Sequence, residues 1–484
     1  MSDLAELDSW HADWTGTRAI VFGLGVTGFS VADTLAELGA KVLVLADKAS
    51  AERIDILDVL GVEVKIGLDQ EALISELAAF SPDVLITSPG VPPTNPFIQH
   101  VISSGIPIWT DVDLAWRVRD KHGFSSQWLC ITGTNGKTTV TQMVECMVQA
   151  AGIRAVACGN IGLPILDAVR DPAAFEILVV ELSSFQLHYT NHIEPMVSAV
   201  LNVADDHLDW HGNFDEYAKA KGKIFNNTRI CCVYNAEDKT TYNLLSSSSN
   251  NDSAQAVGFT KFTPTPNEVG WVEDILIDRA FVDTTDAADE IATLSDLSNI
   301  PVVSPHLLSN TAAAAAISLA AGVQPNEIAK ALRNFSLDGH RIELVLEKDD
   351  IKWIDDSKAT NPHAASAALS SFDSVVWIVG GLLKGVDISD LVAKYAKAIR
   401  AAIVIGVERE PVILALEAHA PDVQVIEIDH LEPNVMTRAV SSAKELAQPG
   451  DVVLLAPAAA SMDQFVDYAD RGEAFRKAVM KEVN

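Results

Sequence analysis

The sequence is short of basic residues, short of cysteine and without a long apolar run, and each shortage narrows the function. Lysine and arginine number 35 against 66 acidic residues, a formal net charge of −31. So negative a chain repels nucleic acid and anionic membrane, so neither is an expected partner; an anionic ligand needs a local group of cations instead. The five cysteines, Cys130, Cys146, Cys158, Cys231 and Cys232, are odd in number and show no C-x-x-C spacing. That pattern fits a reduced compartment, with buried thiols as the default. No apolar run reaches the roughly 18 residues that a membrane-spanning helix needs. The longest candidate, Ala312 to Val323, reads as an Ala-rich helix broken by Ser318 and Gly322. The opening MSDLAELDSW carries neither the basic nor the apolar region of a secretory signal, so the expectation is a cytosolic chain.

What is present is ample apolar material, 48% of 484 residues, enough for about three domains of ordinary size. The chain is organised around Trp128 to Val140, WLCITGTNGKTTV. Trp128 to Ile131 reads as a buried strand, Thr132 to Gly136 as a turn of small residues, and Lys137-Thr138-Thr139 as the opening of a helix through Met143, Val144 and Met147. Strand, Gly-rich turn, Lys-Thr and helix form a phosphate cradle. Turn N–H groups and the helix N-terminus face the anion, Lys137 reaches the outer phosphates, and a Thr hydroxyl holds Mg²⁺. The strict P-loop pattern asks for Gly where this chain has Ile131, so the loop is a variant.

The segment before it alternates strand and helix. Arg18 to Phe22 is a strand, Gly23-Leu24-Gly25-Val26-Thr27-Gly28 a complete G-x-G-x-x-G, Phe29 to Leu38 a helix, and Lys41 to Ala46 a strand ending at Asp47. This is the dinucleotide-binding fingerprint, with the acid placed for a ribose hydroxyl; alone it does not separate NAD from another nucleotide diphosphate. The strand Val84 to Thr87 runs into Ser88-Pro89-Gly90-Val91-Pro92-Pro93, a rigid loop at the carboxyl edge of a sheet.

After the phosphate loop come Cys158-Gly159-Asn160-Ile161-Gly162, a turn with a polar amide, and the strand Ile177 to Val180, ending at Glu181 before Leu182 to Leu187. A carboxylate there suits Mg²⁺, which prefers hard oxygens. The strand Val197 to Leu201 leads to Asn202 and on to Asp205-Asp206-His207-Leu208-Asp209, where His207 among carboxylates points to metal or acid–base chemistry. Tyr217 to Phe225 reads as a helix whose Lys219, Lys221 and Lys223 form, by charge alone, a solvated face. Ser246 to Ser253 reads as a flexible surface loop, Val269 to Phe281 as a hairpin, and His306 and Asn310 open the Ala-rich helix.

The last part alternates again. Asp338 to Arg341 is a loop before the strand Ile342 to Leu346; Trp353 to Asp355 is a strand before the polar turn Asp356 to Asn361, and Pro362 opens a helix through Leu369. Strands follow at Val375 to Val379 (then Gly380 to Gly385), Ala401 to Ile405, Val423 to Ile428 and Val452 to Ala456. The last leads to Ser461 and a helix through Phe465 and Tyr468. The expected fold is α/β in three domains: Rossmann-like at 1–115, a central P-loop-type ATPase unit at 116–337, and Rossmann-like at 338–484. On residues alone three functions stay open: an ATP-dependent enzyme, an NAD-dependent oxidoreductase resting on GLGVTG and Asp47, and a non-catalytic nucleotide-binding regulator.

TGTNGKTT, GNIG, ELSSFQL, DDHLD, GHR, DDSKATNP and ASMDQF occur in that order. Together they resemble the Mur ligases of peptidoglycan synthesis over nearly the full chain, and GNIG with ELSSFQL is most similar to the D-glutamate-adding branch. The resemblance implies an ATP- and Mg²⁺-dependent ligase that joins D-glutamate to UDP-N-acetylmuramoyl-L-alanine through an acyl phosphate; a sister Mur ligase adding another amino acid is the alternative. It implies UDP on Gly23 to Gly28, Asp47 and Ser88 to Val91, with Asn160 and Ser183 on the muramoyl-alanine end. ATP phosphates fall on Gly133, Thr134, Asn135, Gly136, Lys137, Thr138 and Thr139, with Asn310, Arg341 and Asp356 as further nucleotide contacts. Metal falls on Thr138, Glu181, His207 and a carbamoylated Lys221, and D-glutamate on Thr360, Lys384, Ser461 and Tyr468. Lys137, His207 and Lys221 are the implied catalytic residues. The expected working form is a monomer in the bacterial cytosol. Two positions depart from the family pattern: Leu307 stands where an adenine-side Asn is usual, and Trp210 where Arg is common.

Overall fold

The structure, a computed structural model, describes residues 4–249, 254–284, 286–300 and 302–484. Its strands group into three sheets. The first holds β1 (Arg18–Phe22), β2 (Lys41–Ala46), β3 (Glu63–Ile66), β4 (Val84–Thr87) and β5 (Ile108–Trp109), in the order β3-β2-β1-β4-β5 and parallel throughout. The second holds β6 (Gln127–Thr132), β7 (Ala155–Gly159), β8 (Ile177–Glu181), β9 (Val197–Val200), β10 (Cys231–Asn235), β11 (Gln255–Phe259), β12 (Glu268–Val272), β13 (Ile275–Asp278) and β14 (Asp289–Thr293). Their order is β14-β13-β12-β11-β10-β9-β6-β8-β7. The third holds β15 (Glu343–Lys348), β16 (Ile351–Asp355), β17 (Val375–Gly380), β18 (Ile399–Ile405), β19 (Gln424–Glu427) and β20 (Val452–Leu455), ordered β15-β16-β20-β17-β18-β19.

The central strands are near-continuous apolar runs because helices cover both their faces. Trp128, Leu129, Cys130 and Ile131 of β6 are at most 1% exposed, as are Leu178, Val179 and Val180 of β8. The chain packs as two compact units. One carries the first and second sheets; the other carries the third sheet together with Ala204–Asp209. Inside the first unit the two sheet domains meet through an ion-pair group. Arg170 reaches Asp33 at 2.6 Å and Glu37 at 2.9 Å, and Lys121 reaches Glu37 at 2.6 Å. These two cations hold the Glu37 carboxyl below its ordinary value despite the opposing pull of burial. Tyr189 adds a hydrogen bond from its hydroxyl to the Val91 carbonyl at 3.1 Å. Among the described residues no helix is long and apolar enough to cross a membrane.

Several elements differ from the sequence reading. The first helix is Val26–Glu37, so it begins inside the glycine fingerprint. Ser318 lies within the helix Pro305–Ala320 and does not break it. β15 runs antiparallel to β16, so the third sheet is not wholly parallel. Phe465 is outside the last helix, which starts at Tyr468, where the Asp467 side chain caps it by accepting from the Asp470 N–H. The hairpin expected near Val269 is present as β12 and β13. Ser246 closes the helix Lys239–Ser246, and residues 250–253 of the expected surface loop lie outside the described residues. None of the five cysteines is in a disulfide, and burial raises the thiol pKa of Cys130, Cys158 and Cys231.

The glycine fingerprint is required by contact as well as by conformation. A Cβ on Gly28 would lie 2.0 Å from the Gly23 carbonyl oxygen, whereas one on Gly25 would meet nothing within 4 Å. Gly28→Ala is therefore expected to destabilise the protein by about 1–3 kcal/mol, the usual cost of overpacking, with Gly25→Ala close to wild type. Denaturant midpoints of the two variants check this; equal midpoints would contradict the contact argument.

Candidate functional site

In the first unit, β6 delivers the chain into Gly133–Gly136 and the helix Lys137–Ala150. Gly136 sits at φ 84°, and no side chain caps the helix, whose N-terminal end is the end that favours an anion. The loop is strapped from outside. The Thr134 N–H donates to the Asn202 carbonyl at 2.9 Å, the Asn135 N–H to Asn202 Oδ1 at 2.8 Å, and Asn202 Nδ2 donates to the Asn135 carbonyl at 3.0 Å. Thr134 Oγ1 lies 2.9 Å from the Tyr217 hydroxyl. Two ammonium groups reach the same carbonyl: Lys137 Nζ and Lys221 Nζ donate to Gly133 O at 2.9 and 2.8 Å. Lys137 also donates to the Thr134 carbonyl at 2.9 Å, and Lys221 lies 4.6 Å over the Tyr217 ring.

The lysine-bearing helix, Phe214–Gly222, corrects the charge-only reading. Lys219 and Lys221, spaced by two, point to different faces of that helix, and Lys223 opens the short 3-10 turn Lys223–Phe225 that follows it. Only Lys219 is solvated; Lys221 is 2% exposed, and Lys223, half-buried, donates to the His188 carbonyl. Burial lowers the Lys223 pKa.

Glu181 ends β8, in register with Ile131 of β6 and Gly159 of β7, which puts its carboxylate at the level of the phosphate loop. It is 1% exposed. Oε1 accepts from Asn160 Nδ2 at 2.8 Å; Oε2 is buried with no hydrogen-bond partner. A bare carboxylate oxygen costs too much to bury unless a cation completes it. The donor set therefore fits a hard divalent cation, with the Thr138 hydroxyl, 8% exposed at the helix start, as a further oxygen. Ser183 caps the helix Ser184–Tyr189 in a reciprocal box with Gln186. Gln186 Nε2 donates on to Asp111 at 3.1 Å, and burial pushes the Asp111 carboxyl up to about 6.

On the first sheet, Gly23 and Gly28 leave a hollow filled by Ser88, whose buried Oγ has no partner. Leu24 is buried, Val26 and Asp47 are exposed, and Thr27, Pro89 and Gly90 sit around the same edge. Trp210, the departure from the family's Arg, packs tilted against Phe185 and His211, with ring centroids 4.7 and 4.5 Å apart.

The second unit gathers the remaining candidates. His207 is left-handed at φ 53°, with its N–H on Asp206 Oδ1 at 3.0 Å and Nε2 3.7 Å from Asp206 Oδ2; Asn361 Nδ2 donates to the same carboxylate at 3.3 Å. Asn310 is half-buried on the Ala-rich helix, while Leu307 is 4% exposed and belongs to the core. Asp356 is 8% exposed, accepts from the Ile342 N–H at 3.2 Å and feels the Arg341 charge. Thr360, Lys384 and Ser461 lie on three loops at one edge of the third sheet, and Tyr468 opens the last helix. The Ala458 N–H bonds Ala359 O, and Leu382 bridges Ala460, which makes the three loops neighbours. His340, Glu343 and Asp355 also converge, but they are engaged with one another and with Arg476.

Three contributors escape the sequence reading: Asn202, Tyr217 and Arg471. Arg471 is 1% exposed and donates to Ser357 Oγ at 2.9 Å, Ser357 O at 2.8 Å and Ala459 O at 3.0 Å. Asn202 and Tyr217 hold the phosphate loop, and Arg471 ties two loops of the third sheet. A polar residue just past the end of a β-strand, as at Asn202 two residues after β9, was the one available signal.

The chain matches the Mur ligase MurD-like N-terminal domain at residues 17–110, the Mur ligase middle domain at 131–318 and the Mur ligase glutamate ligase domain at 340–459. It is 49% identical to the UDP-N-acetylmuramoylalanine–D-glutamate ligase of Leifsonia xyli, covering 98% of this chain and 95% of that protein. It is 44% identical to the ligase of the same name from Streptomyces coelicolor, over 97% and 98%. Among solved structures, the fold is similar to UDP-N-acetylmuramate-alanine ligase MurC from Thermotoga maritima, at a TM-score of 0.55 and 19% identity over 96% of this chain and 99% of that one. MurF ligase from Thermotoga maritima in complex with ADP gives 0.54 and 17%, over 100% and 99%.

Asp356 gives the site a pH dependence. Burial pushes its carboxyl up to about 8, from about 3.9 in an unfolded chain. The folded state thus holds the proton more tightly, so its stability declines as pH rises from about 4 through about 8. Asp356→Asn is expected to flatten that decline, measured as the change in denaturant midpoint between pH 5 and pH 8 in variant and wild type.

Proposed function

The chain belongs to the Mur ligase family and is an ATP-dependent ligase that joins D-glutamate to UDP-N-acetylmuramoyl-L-alanine in peptidoglycan synthesis, and we propose how its residues divide that work. The observation that carries the assignment is the bare, buried Oε2 of Glu181 at the level of a strapped phosphate loop.

A carboxylate does not condense with an amine at useful rates unaided. The substrate carboxylate attacks the γ-phosphate of ATP, breaking its bond to the β-phosphate oxygen, to give an acyl phosphate and ADP; the amine of D-glutamate then attacks the acyl carbon and loses a proton, forming the amide as inorganic phosphate leaves. In the first unit, Gly133 to Thr139 receive the ATP phosphates on backbone N–H groups. Lys137 leaves the Gly133 and Thr134 carbonyls for the phosphoryl oxygens and offsets the charge that builds there. Glu181 and Thr138 hold Mg²⁺, with Lys221 contributing once its amine carries CO₂ as a carbamate. Mg²⁺, when bound, spreads positive charge over the transferring group. Gly23 to Gly28, Asp47 and Ser88 to Gly90 take the UDP end, so the glycine fingerprint serves a uridine nucleotide and not a nicotinamide; Ser183 faces the muramoyl-alanine end.

In the second unit, His207 is a metal ligand by its ring nitrogen, and Asn310, Arg341 and Asp356 serve the nucleotide. Thr360, Lys384, Ser461 and Tyr468 offer a cation and hydroxyls to the two carboxylates of D-glutamate. We place the enzyme in the bacterial cytosol as a monomer, with domains at 1–115, 116–337 and 338–484.

The test is phosphate release from ATP and Mg²⁺ with the UDP-sugar and each of D-glutamate, L-glutamate, lysine or no amino acid. Release is expected only when the UDP-sugar and D-glutamate are both present. Lys137→Ala is expected to lower the rate at least about 100-fold, the usual cost of removing a stabiliser of transition-state charge. A Lys137→Ala enzyme with normal turnover would remove the phosphate loop from the mechanism.

A further inference from the structure

The resemblance to Mur ligases places Asn160 on the muramoyl-alanine substrate, yet its side chain is committed elsewhere. Nδ2 donates to Glu181 Oε1 at 2.8 Å, and the Asn160 backbone N–H donates to the Glu181 carbonyl at 2.9 Å. The preceding Gly159 lies at φ 100°, and a Cβ there would sit 2.5 Å from the same carbonyl oxygen. The turn after β7 is thus pressed onto the end of β8 before any side chain acts. The two partners differ in burial: Glu181 is 1% exposed, Asn160 is exposed.

We propose that Asn160 is a positioning residue for the metal ligand: its amide pins Oε1 of Glu181, so that Oε2 is the oxygen presented to the divalent cation. The proposal rests on Glu181 being that ligand. The terminal torsion of a glutamate is broad and two-fold, so an unrestrained carboxylate offers either oxygen at many angles. One N–H donor fixed by its own backbone removes that freedom. An amide is neutral, so it orients the carboxylate without cancelling the charge the cation needs. A lysine or arginine would orient it and cancel it. Partners that orient a metal ligand in this way are typically worth roughly 10–100-fold in metal affinity.

The experiment is Mn²⁺ binding by electron paramagnetic resonance, using the full-length protein with a non-hydrolysable ATP analogue and no UDP-sugar. Asn160→Ala is expected to weaken Mn²⁺ roughly 10–100-fold, while binding of the analogue in EDTA stays at the wild-type level. Because Asn160 is exposed, the variant is expected to fold; circular dichroism checks it. Glu181→Gln separates the two layers of the argument. Loss of Mn²⁺ in Glu181→Gln with wild-type affinity in Asn160→Ala overturns the positioning role alone. Wild-type affinity in Glu181→Gln overturns the ligand assignment beneath it. A raised KM for the UDP-sugar in Asn160→Ala with unchanged Mn²⁺ affinity returns Asn160 to a substrate contact.

Discussion

Two ammonium groups meet at one carbonyl oxygen, and the geometry of the phosphate loop depends on that meeting. Lys137 comes from the helix that follows the loop, and Lys221 from a helix far along the chain. Like charges so close repel, and near a protein surface the repulsion is about 4 kcal/mol at 4 Å. The arrangement persists because other groups hold both partners. The Tyr217 ring lies under Lys221, its hydroxyl meets Thr134, and Asn202 clamps the loop backbone at both Thr134 and Asn135. The result is a loop whose backbone is fixed by side chains from two other segments, Asn202 and Tyr217.

The sheet order explains why these groups reach one another. β6 lies between β8 and β9, so the loops leaving all three emerge side by side at the carboxyl edge. Gly133, Glu181 and Asn202 are neighbours for this reason alone, although more than sixty residues separate Asn135 from Asn202. Open α/β sheets bind ligands at that edge, where helix N-termini and strand ends converge. Here it also collects the acid: Glu181 is the last residue of a strand whose preceding members are wholly apolar, so its carboxylate is the first polar group the edge can offer.

What the sequence made legible follows from the same geometry. Parallel strands buried on both faces are short apolar runs, so β1, β2 and β4 were found to the residue, and the groups ending strands, Glu181 and the phosphate loop, were found with them. Edge behaviour was less legible. β15 pairs antiparallel with β16 at the rim of its sheet, and nothing in Glu343–Lys348 announces its direction. Side-chain partners distant in sequence were not legible at all. Tyr217 and Lys221 lie one turn apart on a helix that looked solvated by charge, and only the packing of Phe214–Gly222 against Ser184–Tyr189 shows which face is inside. The start of the last helix was misplaced because Phe465 is apolar, whereas the stop signal is Asp467, whose carboxylate caps at Asp470.

Arg471 and Gly472 show how a pair that no pattern search singles out can be fixed by chemistry. β16 and β20 are adjacent parallel strands, and the segments leaving them carry Asp356 to Asn361 and Pro457 to Ser461. A single guanidinium spans both, with hydrogen bonds to Ser357 and Ala459. Burial lowers its pKa to about 10, still well above neutral pH, so it remains charged. The desolvation cost is offset by charge-assisted bonds to carbonyl and hydroxyl oxygens, and only a planar fork reaches two segments at once, which excludes lysine. The next residue then has no room for a side chain: a Cβ on Gly472 would lie 2.2 Å from His340 Nδ1 and 2.7 Å from Asp355 Oδ2. His340 and Asp355 are themselves paired at 2.7 Å, and the pair sits beside Arg341 and Asp356 in sequence. The helix therefore presses an arginine into one pair of loops and bare backbone against another pair of residues, within one peptide unit. Enlarging the glycine would collide with His340 and Asp355, and shortening the arginine would remove its bonds to Ser357 and Ala459, so the two neighbouring residues act on both sides of the Asp355–Ser357 turn.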